Sequence, residues 1–505
     1  MPLPTAVASS VKTPGFWLTV NLLAATANPG LAGLKALMIA QKGSAGNITP
    51  DTEVRQCFGA DEVLTALGEG QPGHLASIAM FKKFGLLSLW VVAPTAAAGA
   101  AAAITHVISG TPTDENQFDF DVAGRQTGVV SWAAGESIGT FRTRAIGAIQ
   151  NVRPLPITPT AGGGAGDLVL TAKSGGTWGN DITCGVKKIK GTGGVVTPGG
   201  ANLTGGATEF NITTVLGTIG TTEYNLIGLA TSNTDATDAS ATANPERLMT
   251  HLETKSSGLD ALLQYGFVGH TGSIANVKGG AIGRNSVRLQ YCYAKNAQSL
   301  PAEIMGDELG DTMRWVLFRS NYNRIGNRSQ TLIGAKDPVA NKLSALEKED
   351  LLSNGVTPFD FVPNGTELAL VRPITTHSQD SAAAPDYRCF DAPDVHGVDD
   401  VARDLRTTIP VEFANASITE DLPPGADPLP PGVVERKNVQ QFVVGRLRTK
   451  AGQGIVDTNR LDAALANNEL QVQIDGVDKT QVNIFIPLSI IKPLAKFSTV
   501  IHKVA

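Results

Sequence analysis

The chain has 505 residues, enough for several domains and a large buried core. Charged residues make up 17% of it, beside 55 Gly, 28 Pro and a formal net charge of −5. That balance excludes collagen-like, disordered low-complexity and polybasic nucleic-acid-binding chains. The opening segment, MPLPTAVASSVKTPGFW, has no basic stretch followed by an apolar run, so no secretory signal peptide is expected. Phe16–Leu22 is apolar and β-prone, and its aromatics need cover from the chain's own core or from another subunit. LKALMIAQ at 34–41 reads as a central strand. Asp61-Glu62 opens a helix, His74–Phe84 has the 3.6-residue pattern of another, and LLSLWVVA at 86–93 is the next strand. Strand, helix and strand in this order predict an α/β core.

From Phe84 to Thr113 no residue carries a formal charge, which raises a membrane span. Pro94 and the Ala/Gly-rich second half favour instead a buried strand followed by an Ala-rich segment, so no membrane insertion is expected. Residues 106–220 alternate β-prone runs (QFDFDVAG, DLVLTAK, DITCGVKK, EFNITTVLG) with Gly/Thr clusters, interrupted by a helix at Thr140–Gln150. This predicts a β-rich insertion. The α/β pattern resumes with a strand at Tyr224–Ala230 and a helix opened by Asn244-Pro245-Glu246. Strands at 259–268 and 286–293, an amphipathic helix at about 300–320, the strand Leu368–Arg372 and a helix over Asp394–Arg406 follow. A proline-stiffened loop spans 418–432, a helix lies near 458–466, and the β-runs LQVQID, VNIFIPLSI and FSTVIHKV close the chain. The two terminal β-strips either pair within their own subunit or add to a neighbour's sheet.

No catalytic, cofactor-binding or metal-binding constellation emerges. The seven histidines are scattered singly, and there is no HExxH, no P-loop and no GxGxxG directly after a strand. His396 with Asp399 and Asp400 could be half of a metal site, but acids at a helix start more often serve the helix dipole. Asp380, Asp386, Asp391 and Asp394 do not have calcium-loop spacing. The Gly-rich loop 162–166 precedes a strand, so it offers a phosphate no helix amides. Arg436, Lys437, Arg446, Arg448 and Lys450 form a basic cluster. It is either a solvated helix face or a surface that meets an acidic partner. Cys57, Cys184, Cys292 and Cys389 are too far apart in sequence for a zinc knuckle or a CxxC pair and read first as buried thiols.

The order of segments resembles the tail sheath proteins of contractile bacteriophages, in their Mu-like branch. The residues that carry it are TPGFWLTV, LKALMIAQKGSAGN, VRQCFGADEVLTALGEGQPGHLASIAMF, LWVVAPTAAAGAAAA, DVAGRQTGVVSWAAGESIGTFRTRAIGAIQN, SGGTWGNDI, ALEKEDLLSNGVTPFDF, ELALVRPITTHS, DVARDLRTTIP and QVNIFIPLSIIKPLA. The 418–432 loop and the basic stretch after it depart from the pattern. The resemblance implies an α/β fold organised as a multidomain α+β sheath core with a β-rich insertion and extended terminal arms. Its parts would be an N-terminal arm (1–24), a core domain in two stretches (25–105 and 221–375), an outward-facing insertion (106–220), and a tube-proximal C-terminal domain (376–505) ending in a strand arm (497–504).

It further implies a non-enzymatic virion subunit, assembled in the host bacterial cytoplasm and needing no cofactor. Hexameric rings would stack helically around a tail tube and contract to drive the tube through the envelope during genome ejection, with baseplate and tail terminator proteins as partners. Strand exchange would run through Phe16, Trp17, Leu18, Val20 and Leu22 and through Phe497, Val500, Ile501 and Val504, on linkers Ala24–Gly33 and Pro487–Lys496. In that setting the basic cluster becomes a tube-facing or intersubunit surface, and Cys57, Cys184 and Cys389 become candidates for intersubunit disulfides outside the reducing cytoplasm. A tailocin or other phage-derived injection system would use the same sheath. A β-rich surface binding protein or hydrolase stands as an alternative from another class.

Overall fold

Alternation within one five-residue run sets the layers of the molecule. In β1 (Ala36–Ala40), Ala36, Met38 and Ala40 join one apolar cluster while Leu37 and Ile39 join another, and none is exposed. A strand buried on both faces requires helices on both sides of its sheet. The computed structural model describes residues 35–85, 88–258, 260–314, 328–329, 341–362, 368–423 and 429–491. Phe16–Leu22 and Phe497–Val504 lie outside them.

After β1 come β2 (Val54–Cys57), helices α1 (Ala60–Leu67) and α2 (Pro72–Lys83), and β3 (Leu89–Val92). Proline at the first turn and lysines in the last suit the two ends of α2. The chain then leaves the sheet and returns through α4 (Thr213–Ile219), β12 (Leu226–Ala230), α5 (Asn233–Thr237), α6 (Asn244–Lys255), β13 (Tyr265–His270), α7 (Ile274–Arg284) and β14 (Leu289–Ala294). Next are α8 (Pro301–Thr312), β15 (Arg328–Ser329), α9 (Ala345–Ser353), β16 (Val356–Phe361) and β17 (Leu368–Leu370). Among the described residues these strands form a nine-stranded sheet in the order β15-β17-β16-β14-β13-β12-β1-β3-β2. The six strands from β16 to β3 run parallel, with antiparallel strands at either edge. Helices α1, α2 and α8 cover one face; α4 to α7 and α9 cover the other.

Between β3 and α4 lie β4 (Ala103–Gly110), β5 (Asn116–Val122), β6 (Arg125–Gln126), β7 (Val130–Trp132), α3 (Ile138–Asn151), β8 (Ile157–Ala161), β9 (Asp167–Ala172), β10 (Cys184–Lys190) and β11 (Gly194–Thr197). They build two four-stranded sheets, β10-β5-β6 with β7 on β5, and β11-β4-β9-β8. This insertion has its own core, in which Trp132 stacks on Phe141 at 4.6 Å between ring centres and Phe118 packs at 5.5 Å. Among the described residues, Leu75 and Leu300 of the body join that core as fully buried members. The chain enters and leaves side by side: Ala103 N donates to Thr204 O (2.9 Å) and Thr204 N to Ala103 O (3.2 Å).

Beyond β17 the long helix α10 (Ala392–Glu412) packs Val395, Val398, Val401 and Leu405 into the same cluster as β1 and α8. Strands β18 (Ser417–Thr419) and β19 (Val433–Glu435) pair in parallel. Helices α11 (Arg436–Gly452) and α12 (Thr458–Ala466) precede the antiparallel pair β20 (Gln471–Ile474) and β21 (Val482–Phe485). Val439, Val443 and Leu447 of α11 also join the body's core.

Three expected elements differ. EFNITTVLG is not a strand: Ile212, Val215 and Ile219 are buried at helical spacing, and the segment folds as α4 against the sheet. The strand expected at 259–268 begins at Tyr265, after Ala261 and Leu263 adopt left-handed backbone angles (φ 49° each) that strand pairing excludes. Helix α8 is not amphipathic in the sense expected, because all of its residues, acids included, are buried. Its polar stripe faces the interior: Glu303 meets Arg125 of the insertion at 2.6 Å, Asp307 meets Lys83 at 3.4 Å, and Gln290 donates to Glu308. The apolar stripe that removes α8 from water includes Gly306 and Gly310, which let the backbone of α2 approach directly. A Cβ at Gly306 would stand 2.5 Å from Ala76 O, and one at Gly310 would stand 2.8 Å from the Cα of Met80. Among the described residues no helix is long and apolar enough to cross a membrane.

Candidate functional site: the switch-point crevice and the C-terminal seam

In an open parallel sheet, ligands settle at the carboxyl ends of the strands where the strand order reverses. Here that point lies between β1 and β12, since the chain moves from β1 to β3 on one side and from β12 to β16 on the other. The strands deliver Gln41 from β1 and Thr231, Ser232 and Asn233 from β12. A stretch of the insertion fills the place a ligand would take. Gln41 Nε2 donates to Gly175 O (2.8 Å), and Gln41 Oε1 accepts from Ala97 N (3.2 Å). Asp181 accepts from Asn233 N (2.8 Å) and Asn233 Nδ2 (2.9 Å), while Ser232 Oγ donates to Glu209 Oε1 (2.5 Å) and lies 2.8 Å from Thr177 Oγ1. The crevice is saturated by the chain itself.

Burial without a facing cation raises two of these acids: Asp181 is pushed up to about 7, and Glu209, beside Asp235, up to about 8. Four histidines are neutralised by burial: His74, His106, His251 and His270 are each pushed down to about 4. Among the described residues no group of three or more His, Cys, Asp or Glu side chains is placed to hold a metal. His396 packs on the Tyr265 ring at 4.5 Å, Asp399 binds Arg288 at 2.5 Å, and Asp400 lies 3.6 Å from Lys450. These are attachments of α10 to the sheet and to α11. Asp380, Asp386 and Asp391 likewise serve local structure, capping Ala382 and Ala384 amides, gripping Arg388 and binding Arg372. A surface groove at the start of α3 is lined by Ser137, Gly139, Thr140, Thr143 and Arg144, the last paired with Glu136.

The basic cluster folds onto α11 and is matched within the chain. Arg436 pairs with Asp421 (2.6 Å), Lys437 with Glu435 (2.6 Å), Arg446 with Asp404 (2.8 Å), and Arg448 with Asp462 (3.3 Å). Lys450 is buried beside Asp400 and Asp404. Arg446 and Lys450 thus bind α11 to α10, while Arg436, Lys437 and Arg448 pair with other acids and keep side chains 38%, 47% and 62% exposed. Around it Arg403 and Arg406 of α10 converge on Glu223, tying the seam to the body.

The structure places all four cysteines inside the subunit. Cys57, Cys184 and Cys389 are 0%, 2% and 3% exposed, Cys292 is buried in β14, and no disulfide joins them. Burial pushes the Cys57 thiol up to about 11 and the Cys184 thiol higher still. Placed so, none of the three candidates reaches the surface of its subunit, where another subunit's sulfur would have to meet it.

What the sequence missed was the crevice itself, since Gln41, Ser232 and their partners lie far apart along the chain. A signal was available in the polar residues that end two otherwise apolar strands. The basic positions were found; their partners, 2 to 50 residues away, were not.

No protein-family model matches the chain, and no curated protein matches it in sequence. Among solved structures it is similar to a sheath tail protein from Desulfitobacterium hafniense, at 12% identity and a TM-score of 0.45, over 95% of this chain and 100% of that one. It is similar to a sheath tail protein from Listeria innocua at 10% identity and a TM-score of 0.41, over 86% and 87%. It is also similar to the sheath of an extracellular contractile injection system in its contracted state, at 10% identity and a TM-score of 0.47, over 98% and 99%.

Proposed function

We propose that the chain is a non-enzymatic structural subunit of a contractile tail sheath. It assembles as helically stacked hexameric rings around a tail tube, bounded by baseplate and terminator proteins, and contracts to drive the tube through the host envelope. The collinear resemblance along the sequence points to the family. One geometric observation carries the assembly reading: the β20–β21 pair.

Three other edge strands are guarded. β2 is four residues long with Arg55 in it, β8 carries Pro159, and β10 combines Lys187, Lys188 and Lys190 with a register shift. The pair QVQI and VNIF has no charge and no proline, and in the described residues it stands as a sheet of two strands. Two strands alone are marginal in water, and unguarded edges of this kind accept further strands. Phe16–Leu22 and Phe497–Val504, from the same and neighbouring subunits, are the segments proposed to dock there. Backbone hydrogen bonds of that sort survive rigid-body rotation when the linkers flex.

Electron microscopy of the purified protein is expected to show long striated tubes; a protein that stays monomeric at all concentrations would overturn the proposal. Deleting residues 1–24 is expected to leave folded subunits that form no ordered extended sheath, and unchanged assembly would refute the arm role. Capsid and terminase genes beside the coding sequence would assign the sheath to a phage, and their lack to a tailocin.

A further inference from the structure

The segment that keeps β13 from starting earlier is held by the C-terminal helix α10. Ala261 and Leu263, both buried, have left-handed backbone angles, with φ 49° each. Among the described residues no other two non-glycine residues with positive φ lie so close in sequence. In this conformation the Cβ crowds the following carbonyl, which is why residues other than glycine, asparagine and aspartate seldom adopt it. Both carbonyls are taken by arginines of α10: Arg406 donates to Ala261 O, and Arg403 Nη2 to Leu263 O (2.8 Å). Glu223, just before β12, grips both guanidinium groups, accepting from Arg403 Nε (2.9 Å) and from Arg406 Nη2. The end of α6 completes the hold, since Ala261 N donates to Ser257 O (2.8 Å) and Leu262 N to Lys255 O (2.8 Å).

Local sequence favours another arrangement. The apolar run carries the strand pattern back to residue 259, yet β13 begins at Tyr265. Strands β12 and β13 pair in parallel with Leu226 opposite Tyr265. Continued in that register, Leu263 would stand opposite Tyr224, and Leu262 opposite Glu223, which now grips the arginines. Extended backbone there needs no positive φ. Arg406 lies just past Leu405, the last buried residue of α10. The outer end of that helix can therefore move away from Ala261 without opening the core that α10 shares with the body.

We propose that Arg403, Arg406 and Glu223 form a strain-holding clasp, a two-state device through which α10 sets where β13 begins. With α10 seated, Ala261 and Leu263 stay left-handed and β13 stops at Tyr265. With Arg406 withdrawn, the segment relaxes to extended backbone and adds to β13 alongside the stretch before β12. Strained backbone persists only where its surroundings over-determine it. Here the two arginine–carbonyl bonds are the part of those surroundings that a moving helix removes. A displacement of the C-terminal helices thereby reaches the central sheet of the body.

The clasp lies within one subunit, so a double-mutant cycle on unassembled full-length protein tests it, read by denaturant unfolding. Ala261→Gly removes the Cβ that crowds the left-handed backbone. Its effect on the folding equilibrium is expected to be more favourable in wild type than in Arg406→Ala by a factor of about 5 to 30, since the relaxed segment has no such strain to relieve. Ala383→Gly, at an exposed residue with φ 58° outside the clasp, should have the same effect in both backgrounds. If Arg406→Ala does not fold, Arg406→Lys takes its place, because a single ammonium cannot span Ala261 O and Glu223 as the guanidinium fork does. Equal effects of Ala261→Gly in the two backgrounds overturn the clasp, because the segment then keeps its left-handed form without the arginine. Coupling of Ala383→Gly to Arg406 as strong as that of Ala261→Gly overturns it as well.

Discussion

The insertion and the C-terminal helices hold to the same body by opposite means. The insertion carries an aromatic core and touches the body through Leu75 and Leu300 and through hydrogen bonds and ion pairs: Gln41 with Gly175, Ser174 with Gln71 (2.8 Å), Arg125 with Glu303, and Lys173 with Glu69 (3.3 Å). The α10 and α11 helices have no separate core; their valines and leucines complete the body's own cluster, and buried ion pairs orient them. A polar joint can open without exposing much apolar surface, whereas separating α10 from the sheet would expose the core of both parts. The insertion seam is thus the more polar of the two.

Trp132→Ala should have the largest effect, about 3–5 kcal/mol, and should confine it to the insertion. Denaturant unfolding is then expected to show an early transition for the insertion while the body's midpoint stays in place. A single shifted transition would mean that the two cores are coupled after all. Arg288→Ala should lower stability by about 3 kcal/mol, because Asp399 keeps its buried charge with Arg403 3.8 Å away as its remaining cation. Here the loss should appear as one cooperative transition of body and C-terminal helices together. Two resolved transitions would break the claim of a shared core.

Arg448→Ala removes a pair whose side chains are 62% and 56% exposed, so less than about 1 kcal/mol is expected, in the same unfolding assay. A larger loss would show that the outer face of α11 takes part in holding the seam. The smallest effect should come from thiol reagents. Native protein is expected to leave Cys57, Cys184, Cys292 and Cys389 unreacted, and non-reducing gels to show single chains; rapid labelling of one of them would locate a part of the fold that opens.

The alternation in LKALMIAQ, the acid pair at 61–62, and the Asn-Pro-Glu start of α6 are local signals, and the elements they announce form where expected. Helix α8 shows where local pattern ends. PAEIMGDELGDT has a polar stripe that in isolation points to water, yet Arg125, Lys83 and Gln290 arrive from distant segments to meet it. Glu209 and Asp181 belong to the same class, as polar residues whose burial depends on a surface presented by β12 and α5. The basic residues of α11 were visible as charge, but the counter-charges of Arg446 and Lys450 on α10 could be matched only once the two helices were side by side.

The direct approach of α2 and α8 at Gly306 and Gly310 has a mechanical consequence. Side chains between helices act as compliant spacers that shift rotamers under load, and here none intervenes at the crossing. Force entering along one helix passes to the other through backbone atoms, with little travel lost. The pair behaves as a stiff strut beneath the sheet, between the insertion that α8 meets at Glu303 and the C-terminal helices that share its core.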